Sequence, residues 1–379
     1  MDFSLSKEEE LIQKAAKDFA EKVVEPLAEE IDHKNVMPPE VMEGLADLGM
    51  FGITMPEAWG GGEAGHVSYA LALEQLSKAC GGIGMLISVH TIGNSMIYRF
   101  GSDEQKKKYL PKAVTGEEIF SFAFTEPGTG SDPKQLATTA REDGDYFYLN
   151  GTKRFISNAD YNGALIVIAK EEASGNVSAF IVDKHCPGYS VSEPWNKIGV
   201  HGGMLYDVYL KDVKVHKDNM LGKSGDGFWV LKSAMVFGKL GLAALFLGVT
   251  LAAYEEGLNY AKNKTHRGEP ITKFQHIQTS IADMYMKYEA SKLYTRQLAW
   301  SVDNVKDPML QIKEAAFGKL FTVENAVDVC RISMSVHGSY GCMNDYKIAR
   351  LWRDVILGPQ VEGTVNMLKI MGASVILKS

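Results

Sequence analysis

The sequence predicts a multidomain α+β chain: a helical N-terminal domain, a central antiparallel β domain and a C-terminal four-helix bundle. Three observations carry this reading. Apolar residues recur at helical spacing up to about residue 118, the period falls to two across 119–224, and long helical periods return over 225–379. At 379 residues the chain also exceeds one small core, and roughly 100–200 residues per domain implies two or three domains.

Each element has a local reason. Ser6 with Glu9 forms a capping box, after which Leu11, Ala15, Phe19 and Val23 recur every four residues. Pro38-Pro39 opens a second helix with Val41, Leu45 and Leu48 apolar. Gly60-Gly61-Gly62 interrupts the pattern, and Tyr69 to Lys78 resumes it. In the central region, 146–149, 164–169, 177–182 and 205–215 are β-branched or aromatic runs. Asp143-Gly144, Asn150-Gly151, Ser174-Gly175 and Pro187-Gly188 punctuate them as turns. No helical stretch separates these runs, so antiparallel pairing is expected. Beyond Gly227 the helical segments are 227–263, 272–303, 308–337 and 363–376, stopped sharply at His266-Arg267-Gly268, Asp307-Pro308 and 338–341.

Composition excludes several classes. Hydrophobic residues at 45% against 23% charged rule out disorder as the main state, and a net charge of −7 offers no general affinity for nucleic acid. Four cysteines lie far apart without a CxxC pair, which argues against a zinc module or a disulfide framework. The acidic start MDFSLSKEEE resembles neither a signal nor a transit peptide. The apolar stretch Leu240–Ala253 is shorter than the roughly 20 residues a bilayer needs. A cytoplasmic protein without membrane insertion, bound metal or nucleic acid is expected.

Three segments can carry chemistry. FAFTEPGTGSD (122–132) ends a strand in a turn whose glycines and hydroxyls let backbone N–H groups approach a phosphate or extended ligand. It fits neither the dinucleotide-binding G-x-G-x-x-G nor the phosphate-binding G-x-x-x-x-G-K-[ST] fingerprint. KRFISNA (153–159) spaces Phe155 two residues before Ser157, which on a regular strand puts a stacking plane beside a hydroxyl on one face. RDVILGPQVEGTVNMLK (353–369) sets Glu362 among apolar neighbours at the start of a helix, where desolvation would raise its pKa into the range of a base working near neutrality. Taken singly, an ordinary turn, a half-buried strand and a glutamate opening a helix explain each of the three as well.

In order and spacing, FAFTEPGTGSD, YLNGTKRFISNA, GEPITKFQHIQ, HGSYG and RDVILGPQVEGT resemble the acyl-CoA dehydrogenase family along essentially the whole chain. The resemblance implies FAD between the β domain and the C-terminal helices, an acyl-CoA thioester against the flavin, an electron-transfer flavoprotein as redox partner, and a homotetramer built as a dimer of dimers. Residue by residue it implies that Phe122, Phe124 and Thr125 line the isoalloxazine, with Gly130 and Ser131 near flavin or CoA phosphates. Phe155, Ile156 and Ser157 would stand beside the ring, Phe155 replacing a tryptophan and losing its indole N–H. Lys264 and Arg267 stand where arginine and phenylalanine meet the FAD pyrophosphate, followed by Phe274 and Gln275. Ser335, Gly338 and Ser339 would cradle the ADP portion, and Thr364 and Asn366 would also contact FAD.

Glu362 would be the base that takes the α-proton while hydride leaves the β-carbon for flavin N5. Lys239 stands where an arginine contacting CoA is common, and Thr91, Val361 and Gly363 border the acyl site. The stretch 359–361 lacks the bulky aromatic common before the base, which implies a branched or alicyclic acyl group such as cyclohexanecarboxyl. The reverse activity, an enoyl-CoA reductase, fits the same residues. A non-catalytic scaffold retaining the fold is the reading from another class.

Overall fold

A computed structural model describes residues 4–378. The Ser6 hydroxyl accepts from the Glu9 N–H at 3.2 Å and the Glu9 carboxylate accepts from the Ser6 N–H at 2.7 Å, opening α1 (Lys7–Phe19). The buried stripe is one residue away from the expected one. Ala16, Ala20 and Val24 are buried while Leu11 is 67% exposed. Small side chains at these positions let α1 lie close against α4 (Gly65–Ala79), and four-residue spacing alone does not distinguish adjacent stripes. A π-helical turn at Ala20–Val24 joins α1 to α2 (Glu25–Lys34), just ahead of Pro26, which has no N–H to continue the α-helical ladder. α3 (Pro39–Asp47) buries Val41 and Leu45, and α5 (Gly81–Phe100) and α6 (Asp103–Val114) complete this helical part.

The central sheet contains β1 (Ser121–Ala123), β2 (Thr139–Asp143), β3 (Tyr146–Ser157), β4 (Ala164–Glu171), β5 (Val177–Asp183), β6 (Tyr189–Val191), β7 (Leu205–His216) and β8 (Met220–Leu221). Its order is β6-β7-β3-β2-β4-β5-β8, with β1 also pairing β4. Most neighbours are antiparallel, but β1 and β2 both run parallel to β4, so the sheet is mixed. No helix makes the crossover, because the β2–β3 hairpin itself fills the connection. Asn150-Gly151 is not a turn. It is an irregularity inside β3, where Gly151 (φ 154°) passes so close to Thr138 that a Cβ would sit 2.8 Å from its Cα.

The C-terminal part is α7 (Gly227–Asn263), the short hairpin β9 (Thr265–His266) and β10 (Glu269–Pro270), α8 (Gln275–Asn304), α9 (Pro308–His337), α10 (Lys347–Val355) and α11 (Val365–Ile376). α10 was not anticipated, although Ile348, Leu351 and Val355 carry its helical spacing. α7 is long and apolar enough to cross a membrane, yet 89% of its most apolar window is buried by α4, α5, α8 and α9. It is the central strut against which the site is built.

Candidate active site

The segment between α10 and α11 is anchored at both ends. Arg353 pairs with Asp32 of α2, whose Oδ1 also lies 2.8 Å from Nδ1 of His201, and the Asp354 carboxylate accepts the Val200 N–H at 2.5 Å. Thr364 caps α11 by accepting from the Met367 N–H, so the helix begins at Val365. Glu362 therefore lies in the preceding turn rather than at the helix start. Its backbone is left-handed, φ 48°, and Gly363 follows at φ 96°. A side-chain-bearing residue in that region costs on the order of 1–3 kcal/mol unless its surroundings hold it there.

Both carboxylate oxygens of Glu362 are shielded from solvent and have no hydrogen-bond partner among the described residues. The carboxylate tip enters the space between α5 and α7. A Cβ placed on Gly238 would lie 2.4 Å from Glu362 Oε2 and 2.5 Å from Ile92 Cδ1. Burial raises the Glu362 carboxyl to about 7, against the opposing pull of the Lys239 and Lys319 ammonium groups. Burial in turn lowers Lys239 to about 8 and Lys319 to about 7. The buried Tyr69 hydroxyl of α4, beside Thr91 and Ser88, faces the same carboxylate. Gly238→Ala is expected to displace the Glu362 carboxylate and lower kcat by about 10²-fold. Its melting temperature should change little, because only a flexible carboxylate and one methyl must move; steady-state kinetics with thermal melting checks both.

The two other segments are tied together by a buried ion pair. Lys153 donates to Glu126 at 2.7 Å, to the Ile168 carbonyl at 2.6 Å and to the Phe124 carbonyl at 3.3 Å. Glu126 also accepts the Ala137 and Thr138 N–H groups. This fixes the end of β1, where Phe122, Phe124 and Thr125 are half-buried, against β3. The expectation that Phe155 and Ser157 share a regular strand face does not hold. β3 shifts register between Lys153 and Ile156, Phe155 adopts φ 59°, and the pleat is interrupted there. Ser157 and Ile156 are buried, whereas Phe155 is 50% exposed, its ring 5.3 Å from that of Trp195.

Comparison with known proteins identifies the family. The chain matches the acyl-CoA dehydrogenase N-terminal domain over residues 6–117, the middle domain over 121–213 and the C-terminal domain over 225–377. It is 40% identical over 377 residues to a 3-(aryl)acrylate reductase of Clostridium sporogenes (strain ATCC 15579), covering 98% of this chain and 99% of that one. The chain belongs to the acyl-CoA dehydrogenase family. Among solved structures, butyryl-CoA dehydrogenase from Megasphaera elsdenii superposes with a TM-score of 0.95 at 31% identity, covering 100% of both chains. An acyl-CoA dehydrogenase from Bacillus anthracis, solved in complex with FAD, gives 0.92 at 30% identity and covers 99% of this chain and 68% of that one.

The remaining residues singled out by the family resemblance fall into two groups. Lys264, Arg267, Phe274, Gln275, Ser335, Gly338 and Ser339 are all exposed. The turn Arg267-Gly268 (φ 52° and 80°) joins β9 to β10, the Lys264 ammonium lies 4.9 Å from the Tyr340 ring centre, and the Phe274 ring packs edge-on to His266. Ser335 returns its hydroxyl to the Arg331 carbonyl at 3.0 Å. Gly130, Ser131 and Asn366 are likewise exposed. Thr91 and Lys239 behave differently. Thr91 is buried and donates to the Ile87 carbonyl of its own helix. Lys239 is buried, donates to the Met235 carbonyl at 3.2 Å, and its charge faces Glu362. Lys319, which the motif reading passed over, is fully buried beside the same turn. The available signal was a lone charge in the apolar run 315–321, AAFGKLF.

Proposed function

We propose that this protein is an FAD-dependent oxidoreductase acting on the Cα–Cβ bond of an acyl-CoA thioester, with Glu362 carrying the proton at Cα. The observation that carries the reading is the Glu362 carboxylate, buried without a partner and raised to about 7. An acid–base group whose pKa lies near the working pH combines the right protonation state with a usable driving force. FAD, when bound, supplies the electron-pair acceptor or donor at the β-carbon. The residues fit it: half-buried Phe122, Phe124 and Thr125 border the β1 end, and the buried Thr129 hydroxyl beside them lacks a partner among the described residues. Ser157 would hydrogen-bond the flavin ring, and Lys264 with Ser335, Gly338 and Ser339 would hold the dinucleotide end. The acyl group is branched or alicyclic, on the argument that Gly358, Pro359 and Val361 leave the wall beside Glu362 slim. An electron-transfer flavoprotein is the redox partner, and the exposed apolar residues of α8 and α11 (Met286, Leu293, Trp300, Ile370) bury against other copies in a homotetramer.

A second reading is favoured by the name of the relative at 40% identity, a reductase: the same residues run the reaction in reverse, Glu362 donating its proton to Cα. The decisive experiment anaerobically titrates the purified yellow protein with butyryl-, isobutyryl- and cyclohexanecarbonyl-CoA, then titrates dithionite-reduced protein with acryloyl-CoA, cinnamoyl-CoA and free 3-phenylacrylate. Bleaching identifies a dehydrogenase and reoxidation a reductase. Flavin-loaded protein silent in both would end the proposal, and colourless protein that takes up no FAD would indicate the scaffold.

The pH dependence has opposite signs in the two directions. Glu362 faces Lys239 from α7, Lys319 from α9 and Tyr69 from α4, and must be ionised to take a proton but protonated to give one. For dehydrogenation, kcat/KM should rise through pH of about 7 and level off above it; for reduction it should fall through the same region. A dehydrogenation profile flat across this range would remove Glu362 from the role.

A further inference from the structure

We infer that Lys319 is a positioning residue for the proton-transfer step, gripping the backbone on both sides of Glu362 and holding that residue in its left-handed turn. The Lys319 ammonium, on α9 and fully buried, donates to the Val361 carbonyl and, at 2.9 Å, to the Gly363 carbonyl. These are the carbonyl oxygens of the residues immediately before and after Glu362. A single cation thus clamps a three-residue arc whose central residue has φ 48° and whose next residue has φ 96°. The Glu362 carboxylate makes no hydrogen bond among the described residues, so its direction is set by the packing of its tip beside Gly238 and Ile92 and by the main chain that carries it. Lys319 holds that main chain together with the Val361 N–H on the Leu357 carbonyl and the Val365 N–H on the Pro359 carbonyl, and it alone reaches both sides of Glu362 among these contacts. The Lys319 ammonium makes no ion pair within 4.0 Å among the described residues; its hydrogen bonds go to backbone carbonyls. Its charge also lies close enough to Glu362 to oppose the desolvation of the carboxylate, as does that of Lys239 from α7. The grip and the charge act in one direction, favouring an ionised, aimed carboxylate.

The inference rests on Glu362 being the proton-transfer group, and its test separates the two. In flavin-loaded Lys319→Met, hydrogen exchange of the amides of residues 361–365 should accelerate at least about 10-fold, with distant helices unchanged. With whichever probe of the titration series the parent turns over fastest, kcat per bound flavin should fall about 10²-fold, KM should stay within about twofold, and the pH midpoint assigned to Glu362 should move upward. Lys319→Arg keeps the charge and donors but not the reach, and should recover part of kcat and restore the midpoint. If Lys319→Met does not fold, Lys319→Arg decides: faster loop exchange with reduced kcat per flavin supports the grip, and a lowered melting temperature with loop exchange and kcat unchanged overturns it. Should the parent turn over none of the probes, the functional reading fails while the loop exchange still judges the grip. Exchange at 361–365 matching the parent in Lys319→Met overturns it outright.

Discussion

Glu362→Gln is expected to lower kcat by about 10²–10⁴-fold, the range that a positioned general acid or base contributes. Glutamine has nearly the same shape, so the tip should still fit between Gly238 and Ile92. It cannot exchange a proton near neutrality. FAD content and the visible flavin spectrum should match the parent, because none of the residues proposed to hold FAD needs the Glu362 charge. Above pH of about 7, the melting temperature should be unchanged or raised, since the substitution removes a buried carboxylate that has no hydrogen-bond partner. Solvent-deuterium exchange at Cα of a bound saturated acyl-CoA gives the direct readout. Retained exchange would assign the proton transfer to another group.

The largest effect on stability is expected from Lys153→Met. Lys153 is 0% exposed, and burial lowers its ammonium to about 8 while Glu126 pulls it back up. Against its own burial, the Glu126 carboxyl is held below its usual range by Lys153 and by the Thr138 and Ala137 N–H groups. Removing the lysine leaves that carboxylate buried without its cation and frees the Ile168 carbonyl, a change that costs about 3–5 kcal/mol. Against a typical total of about 5–15 kcal/mol this is a large share. Equilibrium urea unfolding measures it, and a loss under about 1 kcal/mol would show that water replaces the pair. The double variant Glu126→Gln/Lys153→Met should be less destabilised than Lys153→Met alone, because the stranded charge is gone.

The structure also separates what spacing can reveal from what it cannot. The limits of α7 and α9 coincide with the stretches read from periodicity, since a long helical period around the apolar stretch Leu240–Ala253 and an Asp307-Pro308 start are strong local signals. The buried stripe of α1 was displaced by one residue, because the approach of α4 selects it. The face of β3 was lost at Phe155, because a bulge breaks the period on which the inference stood. α10 went unseen, its nine residues being too few for a periodic pattern to stand out after the glycines of 338–341.

For the site, the order of its motifs along the chain was enough to name the family and to single out Glu362 as a carboxylate among apolar neighbours. The identity of its companions was not legible. Lys239 and Lys319 lie 123 and 43 residues from it in the chain, and a lysine in an apolar helix gives no sign of which backbone or which carboxylate it will meet. Local chemistry is written in neighbouring letters and can be read from them. Charges that converge from separate helices, and the carbonyls they hold, exist only once α5, α7 and α9 have packed, because burial and distance set their interaction and neither is a property of the sequence taken one stretch at a time.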